Sequence, residues 1–190
     1  YPDLNIRGVH IHIGSQIVDA APFEEAIKKV LSFLKKHRIE VDYFNIGGGL
    51  GIIYSIENPQ TAKNFAKRIL PILKRARLKI ILEPGRFISG NSGILVTKVL
   101  YTKITPRNTF VIVDGGMSDL IRPSLYTAYH KIVPVKVRPD SAQTCEKVDV
   151  VGPICESGDF FAHDRLIPRV KRNDLLAVMS AGAYGYVMSS

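Results

Sequence analysis

The feature that most constrains the fold is an alternation of strand and helix patterns over the first 88 residues. Residues 6–13, 41–46 and 79–82 are predicted to be strands, and apolar residues recur at helical spacing after the first two of them. Strands joined by helices form a parallel sheet, and parallel strands all end at one edge of that sheet. Each predicted strand is followed by a polar cluster that contains glycine, namely Gly14-Ser15-Gln16, Gly47-Gly48-Gly49-Leu50-Gly51 and Glu83-Pro84-Gly85-Arg86. We therefore expect three loops to meet at one site, on the edge where α/β folds keep their active sites.

From about residue 89 onward, the sequence pattern favours a β-rich second domain. Short runs of strand-forming residues are separated by Gly, Pro, Asn and Asp, and they occupy residues 94–100, 110–113, 132–137, 148–151 and 175–179. No helix of comparable clarity lies between them. The predicted fold class is α/β plus all-β, with domains at residues 1–88 and 89–190. Since three β/α units cannot close an eight-unit barrel of about 250 residues, the first domain is predicted to be only the later part of a barrel.

Composition excludes several classes of protein. The chain is 46% hydrophobic and 23% charged, which is typical of a globular protein, and its net charge of +9 is concentrated in residues 28–38 and 63–79. Because this charge alternates with apolar residues at helical spacing, we interpret it as solvated helix faces and expect no nucleic-acid partner. We also expect no membrane span, no secretory leader, no disulfide scaffold from two cysteines and no metal site, and hence a cytoplasmic protein.

The turn Gly152-Pro153-Ile154-Cys155-Glu156-Ser157-Gly158-Asp159 brings a thiol, two carboxylates and a hydroxyl together directly after a β-branched run. Neighbouring negative charge disfavours the thiolate, so the pKa of Cys155 is expected to be raised and the thiol to donate a proton rather than attack. The alternative is a structural turn in which the acids cap the following segment and Cys155 packs as a small apolar residue.

The loops of the first domain offer ligand-binding groups, each with a structural alternative. His12 could stack on a ligand or serve packing. The glycines at 47–49 let backbone N–H groups approach an anion such as phosphate, and Ser15 could add a hydroxyl, although a tight turn needs the same glycines. Glu83 and Arg86 could bind a ligand or form an ion pair with each other.

Two segments of the second domain carry further candidates. Arg122 and Tyr126 present a guanidinium and a phenol four residues apart, which suits the recognition of a carboxylate. A surface arginine and a core tyrosine are the alternative. Tyr184 lies among glycines near the end of the chain, and by itself it indicates little.

Taken in order, these motifs resemble the diaminopimelate decarboxylase family, and the resemblance spans nearly the whole chain. These enzymes are pyridoxal-phosphate-dependent amino-acid decarboxylases built from an alanine-racemase-like barrel and a β-domain. The motifs that carry the resemblance are His12-Ile13-Gly14-Ser15-Gln16, Gly47-Gly48-Gly49, Glu83-Pro84-Gly85-Arg86, Arg122-Pro123-Ser124-Leu125-Tyr126, Cys155-Glu156-Ser157 and Ala183-Tyr184-Gly185.

The resemblance implies that pyridoxal 5'-phosphate lodges between His12, which stacks on the pyridine ring, and Glu83, which pairs with the pyridine nitrogen. It implies further cofactor contacts from Ser15, Gly47, Gly48, Gly49, Gly85, Arg86 and Tyr184. It assigns the far end of the substrate to Arg86, Arg122, Tyr126, Glu156 and Tyr184. Cys155 would protonate the carbanion. His12 is the other residue that the resemblance assigns to catalysis. In this family the Cys-Glu-Ser segment comes from the neighbouring subunit, so a homodimer with shared active sites is expected.

One departure from the family concerns its Schiff-base lysine, which lies in a Tyr-Ala-x-Lys-Ala pattern on an early barrel strand. No lysine of this chain has that setting. We therefore expect the chain to be the middle-to-late part of a longer enzyme and to be inactive alone.

The expected reaction is decarboxylation of meso-2,6-diaminopimelate to L-lysine and CO₂, a step of lysine biosynthesis. A related decarboxylase acting on ornithine, arginine or carboxynorspermidine is the alternative. Gln16 and the Cys155-Glu156-Ser157 triplet favour diaminopimelate, because polyamine-type relatives carry an aspartate after the cysteine. A catalytically silent regulatory homologue is a third interpretation, which the retained Cys155 and Glu83 oppose.

Overall fold

The computed structural model describes residues 3–136 and 144–190. The chain divides into two compact units, Tyr1–Ile88 and Ser89–Ser190.

The first unit is a three-stranded parallel sheet with a helix after each of its first two strands. In chain order its elements are β1 (Gly8–His10), α1 (Ala21–Lys36), β2 (Tyr43–Asn45), α2 (Ala62–Ala76), β3 (Lys79–Ile81) and the short α3 (Gly85–Ser89). The strands lie in the order β1-β2-β3, and both neighbouring pairs are parallel. The predicted β/α units are therefore present.

Local sequence explains the two long helices. Helix α1 has a proline in its first turn and ends with two lysines, which suits the helix dipole. Helix α2 begins after Thr61, whose hydroxyl accepts a hydrogen bond from the Asn64 N–H at 3.2 Å. Phe23 of α1 and Phe65 of α2 pack edge to face, with ring centroids 5.1 Å apart. Together with Phe44 of β2, which is fully buried, they form the core beneath the sheet.

The strands of this unit are shorter than predicted. Only three residues of the segment 6–13, Gly8–His10, pair as a strand. The alternation was nevertheless predicted correctly, since Val9, Ile11 and Ile13 pack against the core while His10 and His12 are exposed.

The second unit is a six-stranded mixed sheet. Its elements are β4 (Leu95–Ile104), β5 (Thr109–Val113), α4 (Arg122–Tyr126), β6 (Ile132–Pro134), β7 (Cys145–Val151), β8 (Phe160–Pro168) and β9 (Leu175–Val178). The strands lie in the order β6-β9-β4-β5-β7-β8; β5 and β7 pair in parallel, and the other pairs among the described residues are antiparallel. Its core is rich in β-branched residues, including Val99, Val111, Val113, Val148 and Val150.

Three elements of this unit differ from the sequence prediction. Strand β8 was missed, because Asp164 adopts a positive φ of 49° and the register with β7 shifts, which breaks the alternation of its side chains. Of the predicted run 132–137, the strand covers Ile132–Pro134, and Val137 lies outside the described residues. The short helix α4 was not predicted at the Arg122-Pro123-Ser124-Leu125-Tyr126 motif.

Candidate active site

The three predicted loops of the first unit converge at the carboxyl edge of its sheet. His10, Asn45 and Ile81 are the last residues of the three strands and are register partners across the sheet. His12, Gly47 and Glu83 each follow two residues later and therefore occupy equivalent positions. The backbone ladder continues into the loops, where the Glu83 N–H donates to the Gly47 carbonyl at 2.9 Å.

The glycines at 47–49 let these loops come so close. A Cβ on Gly48 would overlap the carbonyl oxygen of Glu83 and would lie 3.7 Å from Cε1 of His12. A Cβ on Gly47 would overlap the carbonyl oxygen of Ile11, and one on Gly49 that of Gly14. Gly47 and Gly49 also have positive φ angles of 74° and 93°. The glycines are thus needed for the close packing of these loops, as the tight-turn alternative holds, and Gly47 and Gly48 are themselves buried.

The backbone of the glycine loop also orients His12. The N–H of Gly48 donates to Nδ1 of His12 at 3.3 Å, so a neutral imidazole carries its proton on Nε2. The His12 side chain is exposed, and the ring is available to a ligand.

Asn45 holds the carboxylate of Glu83. Its side-chain amide donates to Glu83 Oε1 at 2.6 Å, and its amide oxygen accepts from the Gly47 N–H at 2.9 Å. The second carboxylate oxygen of Glu83 lies 3.7 Å from Nε2 of His10, and about half of the Glu83 side chain is exposed. Glu83 therefore presents an oriented, half-exposed carboxylate at the same edge of the sheet as His12.

Arg86, in the first turn of α3, joins two of the loops. It donates to the Ser15 hydroxyl at 3.0 Å through Nη2 and to the Tyr54 hydroxyl at 3.0 Å through Nη1. Tyr54 is buried, which leaves the Arg86 guanidinium little freedom to move. Gln16 closes the same region, since its amide exchanges hydrogen bonds of 2.6 and 3.1 Å with the backbone of Ile52.

In the second unit, Cys155 and Glu156 lie on the loop between β7 and β8, and both are exposed. The buried Asp159 shapes this loop by accepting from the Met117 N–H at 2.6 Å and from the Ile154 N–H at 2.7 Å. A Cβ on Gly152 would lie 2.6 Å from a carboxylate oxygen of Asp159. Asp159 is therefore structural, although its carboxylate accepts from preceding residues instead of capping the following segment. Cys155 is exposed and does not pack in the core.

Glu156 is held locally. The Gly158 N–H at 3.2 Å and the Ser157 hydroxyl at 3.1 Å donate to its carboxylate and keep its pKa below the ordinary value. Glu156 is consequently charged at neutral pH.

Helix α4 lies next to the cysteine loop, because the Ser124 hydroxyl donates to the Gly158 carbonyl oxygen. Arg122, in the first turn of α4, is buried, and its Nη1 lies 2.8 Å from Nε2 of His130. Tyr126, in the last turn, is exposed. Within this unit the structure therefore places the Arg122 and Tyr126 helix beside the Cys155 loop.

Tyr184 has a strained backbone, with a positive φ of 59°. It lies between Gly182 and Gly185, at each of which a Cβ would overlap a backbone carbonyl oxygen. Positive φ at a non-glycine residue is a frequent feature of functional positions.

Sequence reasoning missed Asn45, Tyr54 and His130. Asn45 lies inside a predicted strand. Its position beside His10 at the carboxyl ends of two neighbouring parallel strands is the signal that could have identified it. Tyr54 and His130 gave no local signal, since their partners Arg86 and Arg122 are assigned only by the tertiary structure.

Other features of the described residues bear on function. A cleft of about 1140 Å³ in the first unit is lined by Arg7, Asp42 and Arg77 among others, at the amino ends of the strands and away from the three loops. In α/β folds that end is associated with stability rather than with ligands. Within residues 3–136 and 144–190, no group of three or more His, Cys, Asp or Glu side chains could hold a metal ion. No helix in the same ranges is long and apolar enough to cross a membrane.

Comparison with known proteins gives concordant results. The model of the family described as pyridoxal-dependent decarboxylase, C-terminal sheet domain, matches residues 15–182. A diaminopimelate decarboxylase of Aquifex aeolicus is 50% identical over 192 residues, which cover 99% of this chain and 45% of that protein.

Solved structures agree in fold. The crystal structure of AQ1208 from Aquifex aeolicus has a TM-score of 0.94 at 48% identity and covers 100% of this chain and 47% of that one. The crystal structure of diaminopimelate decarboxylase from Helicobacter pylori complexed with L-lysine has a TM-score of 0.87 at 42% identity. The match covers 97% of this chain and 46% of that one. The chain thus spans about half the length of these relatives. The predicted fold class, part of a β/α barrel followed by a β-rich domain, is confirmed.

Proposed function

Since the chain belongs to the pyridoxal-dependent decarboxylases, we propose that the protein of which it is a part converts meso-2,6-diaminopimelate to L-lysine and CO₂. The family resemblance carried by the motifs is confirmed by the matching family model and by a relative that is 50% identical. The observation that best supports the activity is the convergence of His12, the glycines at 47–49 and Glu83 at one open edge.

The residues of this edge fit a pyridoxal phosphate. Glu83 offers a fixed, half-exposed carboxylate to a pyridine nitrogen, and Asn45 keeps that carboxylate in place. The exposed His12 ring, oriented by the Gly48 N–H, offers a flat face to the cofactor ring. We propose that Gly47, Gly48, Gly49, Ser15, Gly85, Arg86 and Tyr184 hold the phosphate side of the cofactor.

When bound, pyridoxal phosphate supplies an electron sink for the pair of electrons left behind by the departing carboxylate. Glu83 would hold a proton on the pyridine nitrogen, since a carboxylate stabilises the neighbouring cationic form. His12 contributes by fixing the plane of the ring.

The far end of diaminopimelate carries a carboxylate and an ammonium group. We propose that Arg86, Arg122, Tyr126 and Tyr184 bind the carboxylate and that Glu156 binds the ammonium group. The lowered pKa of Glu156 supports this role, because a charged carboxylate is needed to pair with the ammonium.

Cys155 is proposed as the proton donor to the carbon that loses CO₂. Its exposure supports this role, because a proton donor has to reach the substrate. Two carboxylates that accept hydrogen bonds, those of Glu156 and Asp159, lie on the same loop. We further propose a homodimer in which the Cys155-Glu156-Ser157 segment serves the neighbouring subunit's site.

A cytoplasmic location is supported by the free thiols of Cys145 and Cys155. The present chain alone is proposed to be inactive, because none of its lysines has the setting of the family's Schiff-base lysine.

A mixing experiment with the full-length protein tests the activity and the shared site together. Cys155→Ala should abolish lysine formation while the absorbance spectrum of the bound cofactor is retained, and Glu83→Gln should abolish it by weakening the electron sink. If Cys155 and Glu83 of one site come from different subunits, half of the randomly mixed dimers have one intact site, so mixing restores about a quarter of wild-type activity.

The contrary outcomes are specific. Consumption of ornithine with diaminopimelate untouched would contradict the proposed substrate and favour the related decarboxylases. Full activity of Cys155→Ala would remove the proton-donor role. Absence of recovery on mixing, with subunit exchange demonstrated, would contradict the shared site.

A further inference from the structure

His130 is a fully buried polar residue of the second unit. It lies between α4 and β6, four residues beyond the end of α4. Both ring nitrogens have partners: Nε2 lies 2.8 Å from Nη1 of Arg122, and Nδ1 lies 2.8 Å from the carbonyl oxygen of Met179. A buried imidazole with two such partners is constrained in protonation as well as in position.

The chemistry of the two partners determines the tautomer of His130. A guanidinium can only donate hydrogen bonds, so Nε2 must present a lone pair to Arg122. A carbonyl oxygen can only accept, so Nδ1 must carry a proton and donate it to Met179. The neutral Nδ1–H form satisfies both contacts, whereas the Nε2–H tautomer or the imidazolium would direct an N–H at the Arg122 N–H.

The backbone of His130 is anchored independently of its ring. Its carbonyl oxygen accepts from Nη1 of Arg165 at 2.7 Å, and the guanidinium carbon of Arg165 lies 3.9 Å from the centroid of the Tyr129 ring. The imidazole is thus a rigid bridge between Arg122 and the end of β9.

Met179 follows β9 directly and begins the segment that leads to Tyr184. Through one ring, His130 therefore links Arg122 to the start of the segment that carries Tyr184. Because one N–H of the Arg122 guanidinium is held by His130, this contact restricts the orientation of the planar fork and hence the direction of its other donors.

We propose that His130, as the neutral Nδ1–H tautomer, is a positioning residue for recognition of the substrate's far carboxylate, acting through Arg122. This inference rests on the proposed function, in which Arg122 binds that carboxylate. Binding of the far end is the same before and during the reaction at the other end, so losing the orientation of Arg122 should raise KM and leave kcat nearly unchanged.

Two conservative variants of the full-length enzyme separate the two contacts of the ring. A glutamine amide reaches the position of Nε2, so His130→Gln keeps an acceptor for Arg122. An asparagine amide reaches only the position of Nδ1, so His130→Asn keeps the Met179 contact and leaves Arg122 without this acceptor. We expect His130→Asn to raise KM for diaminopimelate about tenfold or more, the effect of a lost hydrogen bond to a charged group. His130→Gln should stay within about threefold of the wild type, since that bond is retained.

The proposal is overturned if the two variants change KM equally, or if His130→Asn lowers kcat rather than raising KM. A second measurement does not depend on variants or on turnover. Nitrogen-15 NMR of histidine-labelled wild-type protein should show a buried imidazole protonated on Nδ1 and unprotonated on Nε2. An Nε2–H tautomer or an imidazolium at neutral pH would overturn the inference. If the wild type does not consume diaminopimelate, the proposed function is wrong. The NMR result would still show whether His130 is the Nδ1–H tautomer that the contact with Arg122 requires.

Discussion

Replacing Gly48 by alanine tests directly whether the three loops meet as closely as the structure indicates. A Cβ on Gly48 would overlap the carbonyl oxygen of Glu83 and lie 3.2 Å from its carbonyl carbon. The overlap with the oxygen is the limiting contact, and because real Cβ contacts essentially never lie below 3.0 Å, the Glu83 backbone has to move by roughly one ångström. Overpacking of this kind costs about 1–3 kcal/mol.

Gly85→Ala is a matched control for stability in the same region. A Cβ there meets nothing within 4 Å, and neither Gly48 nor Gly85 has a positive φ. Both variants lose the same backbone freedom in the unfolded chain, which stabilises each by about 0.4–1 kcal/mol. The difference between them therefore isolates the overlap with Glu83.

In urea unfolding of the full-length protein without cofactor, the free energy of unfolding of Gly48→Ala should be about 1–3 kcal/mol lower than that of Gly85→Ala. A spectroscopic cofactor titration should show that Gly48→Ala binds pyridoxal phosphate at least about fivefold more weakly than the wild type, because Glu83 is displaced relative to His12. Equal stability of the two alanine variants, together with wild-type cofactor affinity for Gly48→Ala, would refute the convergence of the loops.

Two further predictions concern buried or bonded carboxylates of the second unit. Asp159→Ala leaves two backbone N–H groups without their acceptor, so we expect a loss of about 2–4 kcal/mol in the free energy of unfolding, whereas an unchanged value in urea unfolding would contradict its structural role. The Lys98 N–H and the Thr97 hydroxyl lower the pKa of Asp114 below 3.8. A lowered pKa in the folded state means that the stabilisation is complete above the unfolded value and is lost as pH falls through the folded one. Asp114→Asn should therefore be less stable than the wild type at pH 6 by an amount that shrinks below about pH 4, and a pH-independent difference would contradict this assignment.

Periodicity was a sound guide to the first unit. The helical spacing predicted α1 and α2, and the alternation in residues 6–13 correctly separated the packed residues from the exposed His10 and His12. The β-rich character of the second unit was also predicted. Strand β8 was missed because a residue with positive φ, Asp164, interrupts the alternation on which a strand prediction depends.

Single side chains of the candidate site were harder to interpret. The sequence placed Glu83 and Asp159 among the chemical groups, and the structure distinguishes them: Glu83 is half exposed at an open edge, whereas Asp159 is buried against backbone N–H groups. Burial and partners decide this difference, and neither is encoded in a local motif.

The sequence by itself determined the order of the strands and long helices of the first unit and the polar glycine clusters at its strand ends, because these depend on backbone preferences acting over a few residues. The tertiary structure alone decided how side chains far apart in the chain act on one another. Asn45 binds the carboxylate of Glu83, 38 positions further along the chain. His130 joins Arg122 to Met179, and Met179 lies 49 positions beyond His130. Such contacts follow from the register of the sheets and the packing of the loops, which are properties of the whole folded chain.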